Sequence, residues 1–157
     1  MVKKPGEGKT ASTGRLCYDY IKLNAHIRMK NFPLANTKNF FNESSKYSLF
    51  SVIYIQNAFL SIPLTQRAKE YCAIITPFGT YLPTRTPFGL KTSPSSFCFA
   101  LNKVIGDLVF AHYYMDDILV GASNNEEMVK NLKIIFERLH SYNLKIRISK
   151  TKFFRKR

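Results

Sequence analysis

The 157-residue sequence has few acidic residues, few cysteines and no long apolar run. No stretch approaches the roughly 20 apolar residues that a membrane-spanning helix needs, and the N-terminus lacks the apolar stretch of a signal peptide. The cysteines Cys17, Cys72 and Cys98 lie far apart and form neither a CxxC pair nor a Cys/His cluster. This pattern excludes a disulfide scaffold and argues against a zinc site. We therefore expect an intracellular protein, cytoplasmic or nuclear, that is not secreted and has no membrane partner.

The scarcity of acids leaves a large positive charge. The chain has 24 Lys and Arg against 10 Asp and Glu, which gives a formal net charge of +14. A field of this sign attracts polyanions, with nucleic acid as the leading candidate, although a solvated basic surface without such a partner is the alternative. The hydrophobic share of 45% and the charged share of 22% are those of an ordinary globular protein, and the length suits one domain.

Local patterns predict a mixture of strands and helices. Tyr47–Ile55 is dense in β-branched and aromatic residues, which favours a buried strand. Ser93-Pro94 predicts the start of a helix that runs to about Gly106, with Ser93 as N-cap and proline in the first turn. The other predicted elements are a short strand over Leu16–Tyr20, a hairpin of Cys72–Thr76 and Thr80–Thr84, a hairpin of Val109–Tyr114 and Ile118–Val120, a helix from Asn124-Asn125 to about Asn143, and a strand over Lys145–Ile148. This order predicts an α+β sheet with helices packed on one face.

Two adjacent carboxylates, Asp116 and Asp117, fall at the tip of the second hairpin. Mg²⁺ prefers carboxylate oxygens together with substrate phosphates. In two-metal phosphoryl transfer, carboxylates hold the ions about 3.5–4 Å apart. Asp is also a common turn former, so a solvated turn explains the pair equally well. On these two residues alone, both interpretations stay open.

Several segments follow one another in an order and spacing that resemble one protein family. They are Arg15–Asn24, Ser51–Leu64, Thr76–Gly79 with Pro87–Lys91 and the helix start at Ser93-Pro94, the YxDD-like box Tyr114–Asp117, and Leu144–Phe154. Together they resemble the reverse transcriptases of retroviruses and long-terminal-repeat retrotransposons, from Val2 to Phe154. One four-residue box would be weak, but the whole set in register makes the resemblance specific.

The resemblance implies a fold and a reaction. The fold would be a polymerase palm, an antiparallel sheet backed by two helices, with inserted fingers strands. The fingers would comprise about 1–46 and 65–92, the palm about 47–64 and 93–157, and the thumb would be absent from the 157 residues. The reaction would be template-directed DNA synthesis, in which a primer 3′-hydroxyl attacks the α-phosphate of a deoxynucleoside triphosphate. The template would be RNA or DNA, and two Mg²⁺ ions would assist.

The resemblance also implies roles for the residues that match the catalytic motifs. Asp116 and Asp117 would be metal ligands, Met115 would pack near the primer terminus, and Lys150 would protonate the departing pyrophosphate. Lys150 lies in a basic run, residues 145–157, that contains no acid. Such a run can bind phosphates without sequence preference, and a frayed basic end is the alternative.

Four further residues would surround the nucleotide. Arg15 would reach the triphosphate, because a guanidinium suits bidentate phosphate contact. The ring of Phe59 would exclude a 2′-hydroxyl and so select deoxynucleotides, and the alternative is an ordinary core phenylalanine. Phe88 and Gly89 would line the pocket, with a simple turn as the alternative for this pair.

The main departure from the family pattern is Tyr54, which stands where the first palm motif should carry an aspartate. A phenol with a pKa of about 10 is neutral at pH 7 and a poor Mg²⁺ ligand. The neighbours Gln56 and Asn57 are neutral amides and do not replace the lost charge. We expect polymerase activity to be lower by several orders of magnitude. Ile21, where the family usually has arginine, is a second departure.

Two other functions are consistent with these departures. A non-enzymatic nucleic-acid binder would keep the basic surface after the loss of catalysis. A scaffold subunit would pair with a full-length polymerase. Salt-dependent binding without extension favours the first, and a stable dimer favours the second.

Overall fold

The computed structural model describes residues 18–28 and 45–156, and the structural statements below concern those residues. Two short 3₁₀ turns, Ala58–Ser61 and Ile148–Lys150, accompany the helices and strands. The elements in chain order are α1 (Ile21–His26), β1 (Leu49–Tyr54), α2 (Gln66–Tyr71), β2 (Ile74–Thr76), β3 (Gly79–Tyr81), α3 (Ser93–Ile105), β4 (Ala111–Tyr114), β5 (Asp117–Ala122), α4 (Asn125–Ser141) and β6 (Lys152–Lys156).

A four-stranded antiparallel sheet in the order β4-β5-β1-β6 is the centre of the fold. Strands β1 and β5 pair along their whole length, from Leu49 opposite Ala122 to Tyr54 opposite Asp117. Strands β4 and β5 are joined by a two-residue turn, because Tyr114 also pairs with Asp117. This register brings the end of β1 next to the tip of the β4–β5 hairpin.

Helices α3 and α4 cover one face of this sheet. Strand β1 alternates buried and half-buried residues, so that Leu49, Ser51 and Ile53 point towards the helices. The helices contribute the fully buried side chains Phe97, Leu101 and Ile105 from α3, and Met128, Ile135 and Leu139 from α4. The alternation leaves Tyr54 on the opposite face, away from this core.

A smaller second core contains Tyr20, Cys72 and Leu90. The Tyr20 hydroxyl donates a hydrogen bond to the carbonyl oxygen of Cys72 at 2.9 Å. Burial, with smaller effects from Cys72 and Tyr18, raises the pKa of Tyr20 to about 12. This core joins the segment before α1 to the end of α2 and to the loop before α3.

The structure confirms the α+β class and the antiparallel sheet backed by two helices. Both predicted hairpins form, although β2 and β3 are shorter than the predicted runs. The second long helix has Asn124 as N-cap, and its side chain accepts a hydrogen bond from the Glu127 amide at 2.9 Å. The other cap differs from the prediction, since Thr92 is the N-cap of α3 and Ser93 is already its first residue.

The predicted strand over Lys145–Ile148 is wrong. Ile146 forms only an isolated bridge to Ile55, and the strand comes later, as β6. Because Lys152–Lys156 pairs with β1, this part of the basic run is not a frayed end. The ring of Phe153 packs edge-on against Phe136, 6.3 Å between centroids, which ties β6 to α4.

The N-terminal half differs from the sequence prediction in two places. Tyr18–Tyr20, the described part of the predicted strand Leu16–Tyr20, is not a strand, and its first two residues lie outside the described residues. The short helices α1 and α2 carry no strong amphipathic period and were not predicted.

None of the helices in the described ranges is long and apolar enough to cross a membrane.

An exposed ion pair connects the two long helices and gives a pH-dependent prediction. Arg138 of α4 holds the Asp107 carboxylate through both guanidinium nitrogens, with Nη2 at 2.8 Å from Oδ2, and also donates to the Val104 carbonyl at 2.9 Å. The hydrogen bond from Arg138 lowers the pKa of Asp107 below its ordinary value of 3.8. The stabilisation is therefore present above pH 3.8 and is lost as the pH falls through the lowered pKa.

We expect Asp107→Asn to reduce the free energy of unfolding at neutral pH and to have a smaller effect at about pH 3, below the ordinary pKa of 3.8. Urea unfolding at the two pH values, beside the unaltered chain, measures the difference. An equal loss of unfolding free energy at both pH values would show that the charge of the Asp107 carboxylate does not contribute to stability.

Candidate active site

The β4–β5 turn holds the two adjacent carboxylates at one end of the strands of the sheet. Met115 has a φ of 51°, in the left-handed region that a side chain rarely adopts, and Asp116 follows it in the turn. The Ile55 amide donates a hydrogen bond to the Asp116 carbonyl at 2.8 Å, which fixes the turn against the end of β1. Asp116 is half-buried, whereas Asp117 is exposed as the first residue of β5.

Tyr54 lies directly beside these carboxylates. Its hydroxyl donates a hydrogen bond to Oδ2 of Asp116 at 3.1 Å. The Lys150 ammonium lies over the Tyr54 ring, 4.6 Å from the ring centroid, at a cation–π distance. The aromatic ring is therefore held between an ammonium group and a carboxylate.

Desolvation and charge act together on Asp117. Although its side chain reaches solvent, desolvation by the surrounding protein atoms raises the pKa of Asp117, the neighbouring Asp116 charge raises it further, and the Lys150 charge lowers it. Burial also raises the pKa of the Cys98 thiol, which a hydrogen bond with the Met115 backbone opposes. The effect of Lys150 on the pKa of Asp117 means that the two side chains are close enough to interact electrostatically.

A cleft of about 720 Å³ opens beside Tyr54 and Asp116. Its walls include Phe59 and Phe88, two of the residues that the sequence predicts around a nucleotide. Gly89, Met115, Asp117 and Lys150 are predicted site residues that do not line the cleft, and Arg15 lies outside the described residues.

Two aromatic rings, Phe59 and Phe88, line one wall of the cleft, and a third ring from the core supports them. The Phe59 ring packs edge-on against Phe88, 6.1 Å between centroids, and against Phe97, 6.4 Å between centroids. Phe97 is 1% exposed and belongs to the main core. Phe59 therefore fits both interpretations, since it lines the cleft and rests on the core.

Gly89 permits a close approach of two backbone segments beside the cleft. Its φ of +102° is one that residues with a side chain rarely adopt. An added Cβ would lie 2.7 Å from the Tyr18 carbonyl oxygen. The turn at Gly89 is therefore specific to glycine, and it brings Phe88 to the cleft wall.

Several cleft residues escaped the sequence analysis. Arg85 and Arg147 both line the cleft, and Arg85 is fixed by a hydrogen bond from Nη1 to the Ser61 carbonyl at 2.8 Å. Tyr18 lines it as well. Arg147 lay within the basic run, but no local pattern distinguishes Arg85 or Tyr18 from other surface residues. Tertiary packing alone brings them to the cleft.

Similarity to known proteins identifies the family. The family described as reverse transcriptase (RNA-dependent DNA polymerase) matches residues 2–157. The chain belongs to this family. The uncharacterized protein K02A2.6 of Caenorhabditis elegans is 32% identical over 99% of the chain. The retrovirus-related Pol polyprotein from transposon 412 of Drosophila melanogaster is 30% identical over 98%.

This reverse transcriptase sequence corresponds to one domain of retroelement Pol polyproteins. It spans 12% and 13% of the lengths of those two relatives. The foamy viral protease–reverse transcriptase dRH in complex with double-stranded DNA has the same fold, with a TM-score of 0.84 and 20% identity, over 96% of this chain and 26% of that one. The foamy viral protease–reverse transcriptase in complex with an RNA/DNA hybrid gives a TM-score of 0.78 at 20% identity, over 86% and 18%.

Reverse transcriptases use divalent metal ions, and the acid pair is the place in this domain where such ions would bind. Within residues 18–28 and 45–156, no group of three His, Cys, Asp or Glu side chains could hold a metal ion. The hydroxyl of Tyr54 engages Oδ2 of Asp116, and the Lys150 ammonium lies close by. A neutral phenol and an ammonium are poor surroundings for Mg²⁺, which prefers carboxylate oxygens. These residues do not fit a pair of divalent ions.

Proposed function

We propose that this reverse transcriptase domain binds primer–template and deoxynucleoside triphosphates but extends the primer far more slowly than is typical of its family. The template would be RNA or DNA. The hydrogen bond from Tyr54 to Asp116 carries this proposal, because it joins a neutral phenol to a carboxylate that would otherwise be available to a cation.

The slow extension follows from the charge at the site. Asp116 and Asp117 supply two carboxylates, and Tyr54 supplies none. The Lys150 ammonium lies over the Tyr54 ring, so one positive charge already compensates the acid pair. A site arranged in this way has less attraction for divalent cations than three free carboxylates would have.

The cleft fits a nucleotide by size and lining. A volume of about 720 Å³ lies within the range of ligand pockets. Arg85 and Arg147 offer cationic groups for phosphates, and the rings of Phe59 and Phe88 offer an apolar wall for a sugar and base. We assign the nucleotide pocket to this cleft, and Phe59 to the exclusion of a 2′-hydroxyl.

The basic strand β6 fits a nucleic-acid backbone. Its five residues are exposed and include Lys152, Arg155 and Lys156. They stand on the edge of the same sheet that carries the acid pair. Cations at such an edge neutralise phosphates and release counterions, which gives binding without sequence preference.

The subdomain division is part of the same proposal. We assign residues 47–64 and 93–157 to a palm and residues 1–46 and 65–92 to fingers. The separate cores support this division, since the main core unites β1 with both long helices and the small core unites Tyr20, Cys72 and Leu90.

A binding assay tests the proposal. We expect the unaltered chain to bind a primer annealed to an RNA template with an affinity that falls steeply with salt, and to extend it at no measurable rate. Replacing Lys152 and Arg155, which pair with residues on the face of β1 away from the helices, by alanine should weaken binding and reduce the slope of log affinity against log salt by about 2, roughly one for each lost phosphate contact.

A matched double variant controls for net charge. Lys130 and Lys133 are exposed on α4, and replacing both by alanine removes the same charge from the helical side of the sheet. This variant should keep the salt slope of the unaltered chain. Equal losses of affinity in both double variants would mean that the net charge of the chain, and not the position of β6, attracts the nucleic acid. Binding that salt does not weaken would contradict the proposal.

A further inference from the structure

The loop that carries Phe88 to the cleft is held by one side chain from another part of the chain. The Nδ2 group of Asn24 donates a hydrogen bond to the Gly89 carbonyl at 2.8 Å, and its Oδ1 accepts one from the Lys91 amide at 2.9 Å. Asn24 belongs to α1 and is 65 residues from Gly89 in sequence. A single side-chain amide therefore hydrogen-bonds to the backbone at two points of the turn that follows Phe88.

The held loop has little freedom to move towards α1. Gly89 has a φ of +102°, and a Cβ there would lie 2.7 Å from the Tyr18 carbonyl oxygen. The backbone of this loop thus already touches the segment before α1 on one side. The Asn24 hydrogen bonds fix its distance from that segment, and with it the position of the residue before Gly89.

The position of Phe88 decides the shape of the sugar-binding wall. Its ring meets Phe59 edge-on at 6.1 Å between centroids, and Phe59 rests on the buried ring of Phe97. Because Phe97 is closely packed in the core, Phe59 has little room to move on that side. A shift of Phe88 therefore changes mainly the space on the cleft side of Phe59. A continuous series of contacts therefore leads from Asn24 to the ring that would exclude a 2′-hydroxyl.

We propose that Asn24 is a positioning residue that sets the spacing of Phe88 and Phe59 and thereby the preference for deoxynucleotides over ribonucleotides. This inference rests on the proposed nucleotide pocket. Asn24 does not line the cleft and acts through Gly89 and Lys91. The small core of Tyr20, Cys72 and Leu90 anchors the same region independently, so loss of the amide loosens the loop and leaves the region folded.

Nucleotide binding tests this role without any need for catalysis. The chain is loaded with primer–template and titrated with the fluorescent 2-aminopurine deoxyribonucleoside triphosphate and with its ribonucleoside counterpart. For Asn24→Ala we expect the deoxy-over-ribo affinity ratio to fall about fivefold, in line with the loss of about one net hydrogen bond of loop restraint. The control Asn102→Ala removes an amide that accepts a hydrogen bond from the Tyr113 hydroxyl, outside the cleft, and should keep the ratio unchanged.

A second variant separates positioning from general loss of structure. Asn24→Asp keeps the oxygen that accepts from Lys91 but cannot donate to the Gly89 carbonyl while it is ionised. Protonation restores a donor, and the ordinary pKa of an aspartate is about 3.9, so its affinity ratio, relative to the unaltered chain, should recover partly between about pH 7 and about pH 4, whereas that of Asn24→Ala should not. Circular dichroism of each variant checks its fold.

The outcomes are distinct. A drop in affinity by the same factor for both nucleotides in Asn24→Ala, or no pH-dependent recovery in Asn24→Asp, overturns the positioning role and leaves the nucleotide pocket intact. If the unaltered chain binds neither nucleotide, the proposed pocket itself is wrong, and the role of Asn24 falls with it.

Discussion

Tyr54→Asp is expected to produce primer extension from a chain that we propose to be inactive. The gain should be at least roughly three orders of magnitude in rate, which corresponds to about 4 kcal/mol of transition-state stabilisation. The assay is extension of a primer on an RNA template, with Mg²⁺ and then Mn²⁺, beside the unaltered chain.

The physical reason lies in the immediate surroundings of Tyr54. The substitution removes the phenol that donates to Asp116 and the ring beneath the Lys150 ammonium. It places a third carboxylate opposite Asp117, its partner across β1 and β5. Three carboxylates at the same end of the strands attract divalent cations far more strongly than two carboxylates with a phenol.

Two control variants separate these effects. Tyr54→Phe removes the hydrogen bond to Asp116 without adding a carboxylate, and it should remain inactive. Asp116→Asn added to Tyr54→Asp returns the site to two carboxylates and should abolish the gained activity. Extension by Tyr54→Phe would show that the hydroxyl, and not the missing charge, blocks the reaction.

The remaining outcomes bear on the proposed function. Extension by the unaltered chain contradicts the proposed inactivity and requires another group in place of the missing carboxylate. Binding of primer–template by Tyr54→Asp without extension would mean that Tyr54 is not the sole defect. The binding assay with the same hybrid distinguishes this result from a failure to engage the nucleic acid.

Phe97→Ala is expected to have the largest effect on stability, a loss of about 3–5 kcal/mol in the free energy of unfolding. Phe97 is 1% exposed in the centre of the main core, and its ring also supports Phe59. The substitution leaves a cavity between α3 and the sheet, because the backbone around it cannot close the gap. Urea unfolding followed by circular dichroism measures the loss.

Phe99 provides the matched control on the same helix. It is 48% exposed, and its ring lies 4.6 Å from the Lys103 ammonium. Phe99→Ala removes the same atoms without leaving a buried cavity, so we expect a loss of at most about 1 kcal/mol. Comparable losses from both substitutions would contradict the assignment of Phe97 to the centre of the core.

Much of the palm was readable from the sequence, because its elements are long and strongly patterned. The aromatic and β-branched run before Ile55, the helical period after Asn124 and the turn chemistry around Asp116 each specify local structure within a few residues. Burial within α4 departs from simple hydrophobicity, since Val129 is exposed while Asn131 is buried and donates to the Gly121 carbonyl at 3.0 Å. A buried amide with a backbone partner has no apolar signature in the sequence.

The edge strand shows where local pattern fails. Lys152–Lys156 is short, mostly basic and exposed, so it lacks the apolar alternation that predicts a strand. It becomes one because the unpaired edge of β1 supplies backbone partners, with Phe50 opposite Arg155 and Val52 opposite Lys152. Pairing with an existing edge depends on the rest of the sheet, which a window of sequence does not contain.

The amino-acid sequence alone identified the chemical character of this domain: a reverse transcriptase pattern, an acid pair at a hairpin tip and a tyrosine where the family resemblance implies an aspartate. Tertiary structure decided the contacts among them. It joined Tyr54 to Asp116, brought Lys150 over the ring, and connected Asn24 to a loop 65 residues away. Residue type follows directly from the sequence, whereas contacts between distant residues depend on sheet register and helix packing, which are settled only when the whole chain folds.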